Sequence, residues 1–187
     1  MIAFREPMST TEIVLPMTEP ESEWVRGRAV RKVSPKRDHS RLQAELVVAL
    51  TLWSRGRGEV GPEWRFRIEP PGEPRRPLVP DIAFVRVERL RGLSHADVQA
   101  PAFAPDVAVE ILSPGDDLRD VAAKIDVYLR AGTSLVLVVD PKNRSMTLHD
   151  MDTVAVLTVH DTLRHQALPE FELPLGPLFA TALDLPH

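Results

Sequence analysis

Two acids and a lysine carry the chemical interest of this chain. Glu110 interrupts the alternating apolar run Val107-Ala108-Val109-Glu110-Ile111-Leu112, and a carboxylate on a half-buried strand is costly unless something compensates it. Asp81 follows Pro80 and opens a second apolar run, Ile82-Ala83-Phe84-Val85. Two strands that each present one carboxylate could together hold a hard divalent cation such as Mg²⁺, which oxygen ligands suit. Downstream, Lys124 borders the apolar stripe of a helical segment, where an ammonium could meet developing negative charge. Such a set is the working part of a metal-assisted hydrolytic site. Each residue also has a plainer reading. A lone Pro-Asp more often starts a strand or caps a turn, and Lys124 follows Asp120 by four residues, the orientation of a helical ion pair worth only ~0.2–0.5 kcal/mol.

The elements that must position these residues follow from periodicity and turn residues. Residues 1–23, rich in Pro, Thr, Ser and Glu, read as a poorly ordered arm, and a single domain over 24–187 follows. Residues 24–33 form a short strand or hairpin with Gly27 at the bend, ended by the breaker Ser34-Pro35. From Asp38, a plausible N-cap, to about Arg55, the residues Leu42, Leu46, Ala49 and Trp53 fall on one side at helical spacing. Glu59–Ile68 reads as a strand, and Pro70-Pro71-Gly72-Glu73-Pro74 as a loop. Asp81–Val85 and Val107–Leu112 are strands separated by an irregular or helical excursion. A helix over 117–131 follows, with Leu118, Val121, Ala122, Ile125 and Leu129 as its buried stripe and Gly132 as its stop. Leu135–Val139 is a continuous apolar run, the mark of a central strand, so that strand, helix and strand make a parallel crossover. Residues 144–173 alternate in short segments that read as antiparallel strands. The fold class is therefore α/β, a mixed sheet flanked by helices with an antiparallel C-terminal extension.

Composition narrows the chemistry further. The apolar fraction of 43% and charged fraction of 27% are those of an ordinary soluble globular domain. No apolar stretch is long enough to span a membrane, the N-terminus does not resemble a signal peptide, and a cytoplasmic location is expected. The absence of cysteine removes disulfides, thiolate zinc sites and cysteine nucleophiles. Net charge is −4, yet residues 24–76 hold 13 Lys/Arg against 6 Asp/Glu, a local excess of +7. Such a segment can face phosphate if its side chains converge, or be no more than a solvated surface.

The ordered series resembles the PD-(D/E)XK nuclease superfamily. More narrowly it is similar to the Uma-type family of restriction-endonuclease-like domains, a domain of unknown function. The matching segments are Val30-Arg31-Lys32-Val33-Ser34-Pro35 with His39 nearby, Val79-Pro80-Asp81-Ile82, Val109-Glu110-Ile111-Leu112-Ser113-Pro114, and Asp120 through Lys124 to Tyr128. Ala131-Gly132 and the strand into Asp140-Pro141 complete the pattern. The resemblance implies that Asp81 and Glu110 are metal ligands, with the backbone carbonyl of Ile111 as a third, for Mg²⁺ with Mn²⁺ as a substitute. It implies that Lys124 orients the attacking water or stabilises charge on the scissile phosphate. One departure stands out: Leu112 occupies the position two after the glutamate where the superfamily's lysine stands, so Lys124 must reach the same point from the following helix. Two accessory residues are expected. Glu45 borders the first helix's stripe, from which many such nucleases add an acid, and His39 could serve as a base or hydrogen-bond to Glu110.

Three functions follow as expectations. The first is a Mg²⁺-dependent endonuclease hydrolysing DNA phosphodiester bonds, for which a two-fold homodimer would suit cleavage of both strands. The second is a non-catalytic nucleic-acid-binding or regulatory module on a nuclease-like fold. The third is a metal-dependent hydrolase of a small phosphate or sugar substrate, which a narrow pocket would favour over an open cleft. Fold alone does not choose among them.

Overall fold

The computed structural model describes residues 12–32 and 35–184. Most of the expected N-terminal arm, residues 1–11, and both Val33 and Ser34 lie outside the described residues. The centre is a six-stranded mixed sheet. Its strands are β3 (Gly58–Pro62), β6 (Ile82–Arg86), β7 (Val107–Ile111), β8 (Leu135–Asp140), β9 (Ser145–His149) and β10 (Val154–Leu157), in the order β10-β9-β8-β7-β6-β3. Only β7 and β8 run parallel, joined through helix α4 (Leu118–Arg130), and every other pair is antiparallel. Among the described residues, three hairpins lie outside the sheet. They are β1 (Ser22–Val25) with β2 (Arg28–Arg31), β4 (Phe66–Ile68) with β5 (Arg76–Leu78), and β11 (Thr162–His165) with β12 (Leu168–Pro174). Two short helices, α2 (Val87–Leu90) and α3 (His95–Gln99), fill the excursion between β6 and β7.

Side-chain alternation divides the core between the two faces of the sheet. On one face Ile82, Phe84, Val107, Val109, Leu135 and Leu137 pack against helix α1 (Arg37–Trp53), through Leu42, Leu46 and Leu50, and helix α5 (Leu175–Leu183), through Leu178 and Phe179. On the other, Ala83, Val85, Ala108 and Val136 pack against Val127 and Tyr128 of α4 and against Phe66, Ile68 and Leu78 of the β4–β5 hairpin. Asp81 and Glu110 share the parity of this second face. The first face is wholly apolar, and the second receives the charged residues.

Local chemistry explains most boundaries. Gly27 takes φ +76 at the β1–β2 bend, as a tight turn requires. α4 starts at Asp117, whose carboxylate accepts from Arg119 N at 2.9 Å. It ends at Gly132 with φ +97, where the amide of Thr133 closes on the carbonyl of Tyr128. Several expectations need correction. Glu59–Ile68 is not one strand: β3 stops at Pro62, which has no amide to donate, Glu63 turns with φ +50, and β4 joins a different hairpin. Asp38 is not an N-cap; it lies in the first turn of α1 and pairs with Arg37. Helix α5, which follows the antiparallel segments, was not anticipated.

The largest correction concerns α4. Leu118 is 66% exposed and Ala122 is exposed, while the residues that α4 buries are Lys124, Val127 and Tyr128. The helix is rotated so that its lysine and tyrosine meet the sheet. The reason is Glu110: a buried carboxylate on β7 needs donors, and α4 is the element that supplies them.

Candidate active site

Register brings the two acids together. β6 and β7 pair with Ile82 opposite Val109 and Ala83 opposite Ala108, so continuing by one residue sets Asp81 opposite Glu110. Cβ atoms of directly opposed residues lie about 4.5–5.5 Å apart. The Asp81 carboxylate closes the end of the strand pair by accepting from the Ile111 amide at 2.6 Å. Both acids line one cleft of about 250 Å³ together with Ile111, Lys124, His39, Lys32 and Glu23.

Each acid is fully partnered. Asp81 Oδ1 accepts from Lys32 Nζ at 2.7 Å, and Oδ2 lies 3.2 Å from His39 Nε2. Lys32 also bonds to the Val79 carbonyl at 3.0 Å and pairs with Glu63 at 2.7 Å. Glu110 Oε2 accepts from Lys124 Nζ at 2.6 Å, and Oε1 accepts from the Tyr128 hydroxyl at 3.0 Å. Lys124 reaches a second acid, Glu23 of β1, at 2.9 Å from Oε1 and 3.0 Å from Oε2. Glu23 Oε1 in turn accepts from the Val79 amide at 2.7 Å. The helical pair with Asp120 does not form, because Asp120 is taken by Arg28 at 2.5 Å and Arg26 at 3.2 Å.

These contacts set the charge states. Burial alone would raise the Asp81 pKa, but the His39 hydrogen bond and the Lys32 and Lys124 charges outweigh it and hold the group well below the usual carboxylate range. Glu110 is pushed up to about 7 by burial, against the pull of Lys124 and with the help of negative charge on Asp81 and Glu23. Burial disfavours the Lys124 ammonium too, yet Glu110, Glu23 and Asp81 keep it charged above the ordinary lysine range. Lys124 therefore stays cationic, while burial presses the Glu110 carboxyl towards its protonated form.

The sequence-predicted residues divide as follows. Asp81, Glu110, Ile111, Lys124 and His39 meet in one cleft. His39 contacts Asp81, not Glu110, and its Nδ1 is buried without a hydrogen-bond partner. Glu45 is not brought to the site: it pairs with Arg41 one turn earlier on α1, a turn anchored at the α5 end of the helix. Besides His39, the α1 side chain that reaches the acid-bearing segment is Gln43, whose amide donates to the Asp81 carbonyl at 2.9 Å. Sequence reasoning gave no role to Glu23, Lys32 or Tyr128. Glu23 and Val25 are the buried pair of an alternating strand, a period-2 signal readable in Ser22-Glu23-Trp24-Val25. Tyr128 lies one helical turn beyond Lys124.

The donor set suits a hard divalent ion. Two carboxylates at opposed register positions, with two ammonium groups already drawn among buried acids, make an oxygen-rich site that holds positive charge. Among the described residues no three His, Cys, Asp or Glu side chains converge as a ready metal cluster, so any ion held by the two carboxylates would need the backbone or water for its remaining ligands. Of the basic segment, Arg28, Arg31 and Lys32 line the cleft, while Arg57, Arg65, Arg67, Arg75 and Arg76 each pair with a carboxylate elsewhere.

Comparison with known proteins bears on the fold and the family. A crystal structure of a putative nuclease belonging to DUF820, from Anabaena variabilis, matches with a TM-score of 0.80 and 26% identity over 90% of this chain and 95% of that one. The molecule thus has a restriction-endonuclease-like, nuclease-type fold. The family Uma2, described as putative restriction endonuclease, matches residues 13–176, and the chain belongs to that family. No curated protein matches it. None of the described helices is long and apolar enough to cross a membrane.

Proposed function

We propose that the protein is a divalent-metal-dependent endonuclease that hydrolyses DNA phosphodiester bonds in the Asp81–Glu110 cleft. The observation that carries this reading is the opposed register of Asp81 and Glu110, with Lys124 at 2.6 Å from Glu110. Asp81, Glu110 and the Ile111 carbonyl would hold Mg²⁺ or Mn²⁺. Such an ion supplies Lewis-acid polarisation of the phosphoryl oxygen and a more acidic water. Lys124, fixed from α4, presents its ammonium to charge developing on the scissile phosphate. His39, through Asp81, fixes the orientation of that carboxylate, and Tyr128 does the same for Glu110.

The test is cleavage of supercoiled plasmid and of single-stranded DNA with Mg²⁺ or Mn²⁺ and an EDTA control. Wild-type protein should nick DNA only with metal. Asp81→Asn, Glu110→Gln and Lys124→Met, each confirmed as folded by circular dichroism, should lose activity by a factor on the order of 10²–10³, with little further loss on combination. A wild-type chain that binds DNA but cuts none with any divalent metal would return the protein to the binding-module reading. The neutralised arginines and the small cleft support a second reading, a metal-dependent hydrolase of a small phosphate ester. Hydrolysis of bis(4-nitrophenyl) phosphate with intact plasmid left uncut would select it.

A further inference from the structure

We propose that Glu23 is a positioning residue that keeps Lys124 in the cleft when Glu110 turns to a cation. The inference rests on the reading of Asp81 and Glu110 as metal ligands given above. Oε2 of Glu110 accepts from Lys124 at 2.6 Å and Oε1 accepts from Tyr128, so a cation that coordinates Oε2 meets the like-charged ammonium there and displaces it from that oxygen. An ammonium that lost its only carboxylate inside the protein would be a buried, uncompensated charge. Lys124 does not face that outcome. Its Nζ also lies 2.9 and 3.0 Å from the two oxygens of Glu23, and those charge-assisted bonds survive when the bond to Glu110 is given up.

Glu23 is suited to this by how it is held. It is 4% exposed, and its Oε1 accepts from the Val79 amide at 2.7 Å, two residues before Asp81. The carboxylate is thus pinned to the segment that carries the first metal ligand and cannot follow Glu110. Glu23 sits on a hairpin outside the main sheet, whereas Glu110 sits in the centre of it, so one acid can reorient while the other stays. The geometry makes Lys124 a bridge between a fixed acid and an exchangeable one.

Glu23→Gln isolates the role, because the amide oxygen can still accept from Val79 while the charge on Lys124's second partner is removed. Calorimetric titration with Mg²⁺ in the absence of DNA should show affinity weakened about 10-fold relative to wild type. The decisive readout is the ¹⁵N–¹H signal of the Lys124 ammonium, identified by its loss in Lys124→Met and visible only while the group is immobilised. In wild type the signal should persist at saturating Mg²⁺. In Glu23→Gln it should be present without metal, when Glu110 still holds the lysine, and vanish when Mg²⁺ is added. Persistence of the signal in metal-loaded Glu23→Gln, its loss in metal-loaded wild type, or unchanged Mg²⁺ affinity would each overturn the proposal. If Glu23→Gln does not fold, Glu23→Asp, whose shorter side chain cannot hold Val79 and Lys124 together, takes its place with the same expected and overturning outcomes. Failure of wild type to bind any divalent ion would instead overturn the metal reading itself, and this inference with it.

Discussion

Asp81, Glu110, Glu23, Lys32 and Lys124 form one buried network of three acids and two ammonium groups. Asp81 is firmly ionised, because His39, Lys32 and the Ile111 amide all favour its carboxylate. A group whose folded pKa lies below its unfolded value of 3.8 stabilises the protein above that value and loses the contribution as pH falls through the folded pKa. Wild type should therefore lose thermal stability on acidification below about pH 4 more steeply than Asp81→Asn, with the two melting curves converging at low pH. Parallel curves would show that Asp81 is not stabilised as a carboxylate in the fold. Lys124 makes a contrasting prediction. As a solvated helical partner of Asp120 its removal would cost well under ~1 kcal/mol. As the buried partner of two acids, Lys124→Ala should cost about 3–5 kcal/mol in denaturant unfolding.

At the scale of elements, α4 decides whether the acids of the sheet have partners. Its rotation makes two substitutions behave against hydropathy. Leu118→Ser removes an exposed side chain and should change stability by no more than about 0.5 kcal/mol. Tyr128→Phe removes one hydroxyl but leaves Glu110 Oε1 unsatisfied in a buried site, so it should cost about 1–3 kcal/mol by urea titration. The opposite ranking would mean that the helix buries its aliphatic stripe after all. This is also where the sequence was least legible. The apolar periods of β6, β7, β8 and α1 were visible because their burial is driven by side chains that periodicity counts. In α4 the burial is driven by pairing with Glu110, so Lys124 and Tyr128 displace Leu118 and Ala122 from the inner face, and a hydrophobic pattern cannot register that. Asp81 and Glu110 were readable because acids beside or inside apolar strand runs are conspicuous, and Lys124 because it borders the apolar stripe of its helix. Glu23 was hidden because its strand is four residues long and belongs to a hairpin next to a Pro- and Glu-rich segment.

The whole molecule separates stability from chemistry across the two faces of one sheet. The cluster on the α1/α5 face draws on β11, β12 and α5 as well as the central strands: Leu163, Leu168, Phe171, Leu175 and Phe179 pack with Leu42, Leu46 and Leu50. The antiparallel C-terminal segment is therefore part of the core. Trp53 ties the pieces together, with its ring 4.9 Å from Phe84 and 5.7 Å from Phe171 and its Nε1 donating to the Pro169 carbonyl. None of these residues lines the acidic cleft, which opens on the opposite face. Truncating the fully buried Phe179 to alanine should accordingly cost about 3–5 kcal/mol through lost burial and the cavity left behind. The fraction that remains folded should bind Mg²⁺ with wild-type affinity, because the side chains of Asp81 and Glu110 lie on the opposite face of the sheet from Phe179. Unfolding monitored by Trp fluorescence gives the first quantity and calorimetric titration well below the melting temperature gives the second. Loss of metal affinity in folded Phe179→Ala would show that the sheet transmits packing changes from one face to the other, and that the C-terminal core helps to set the register of Asp81 against Glu110.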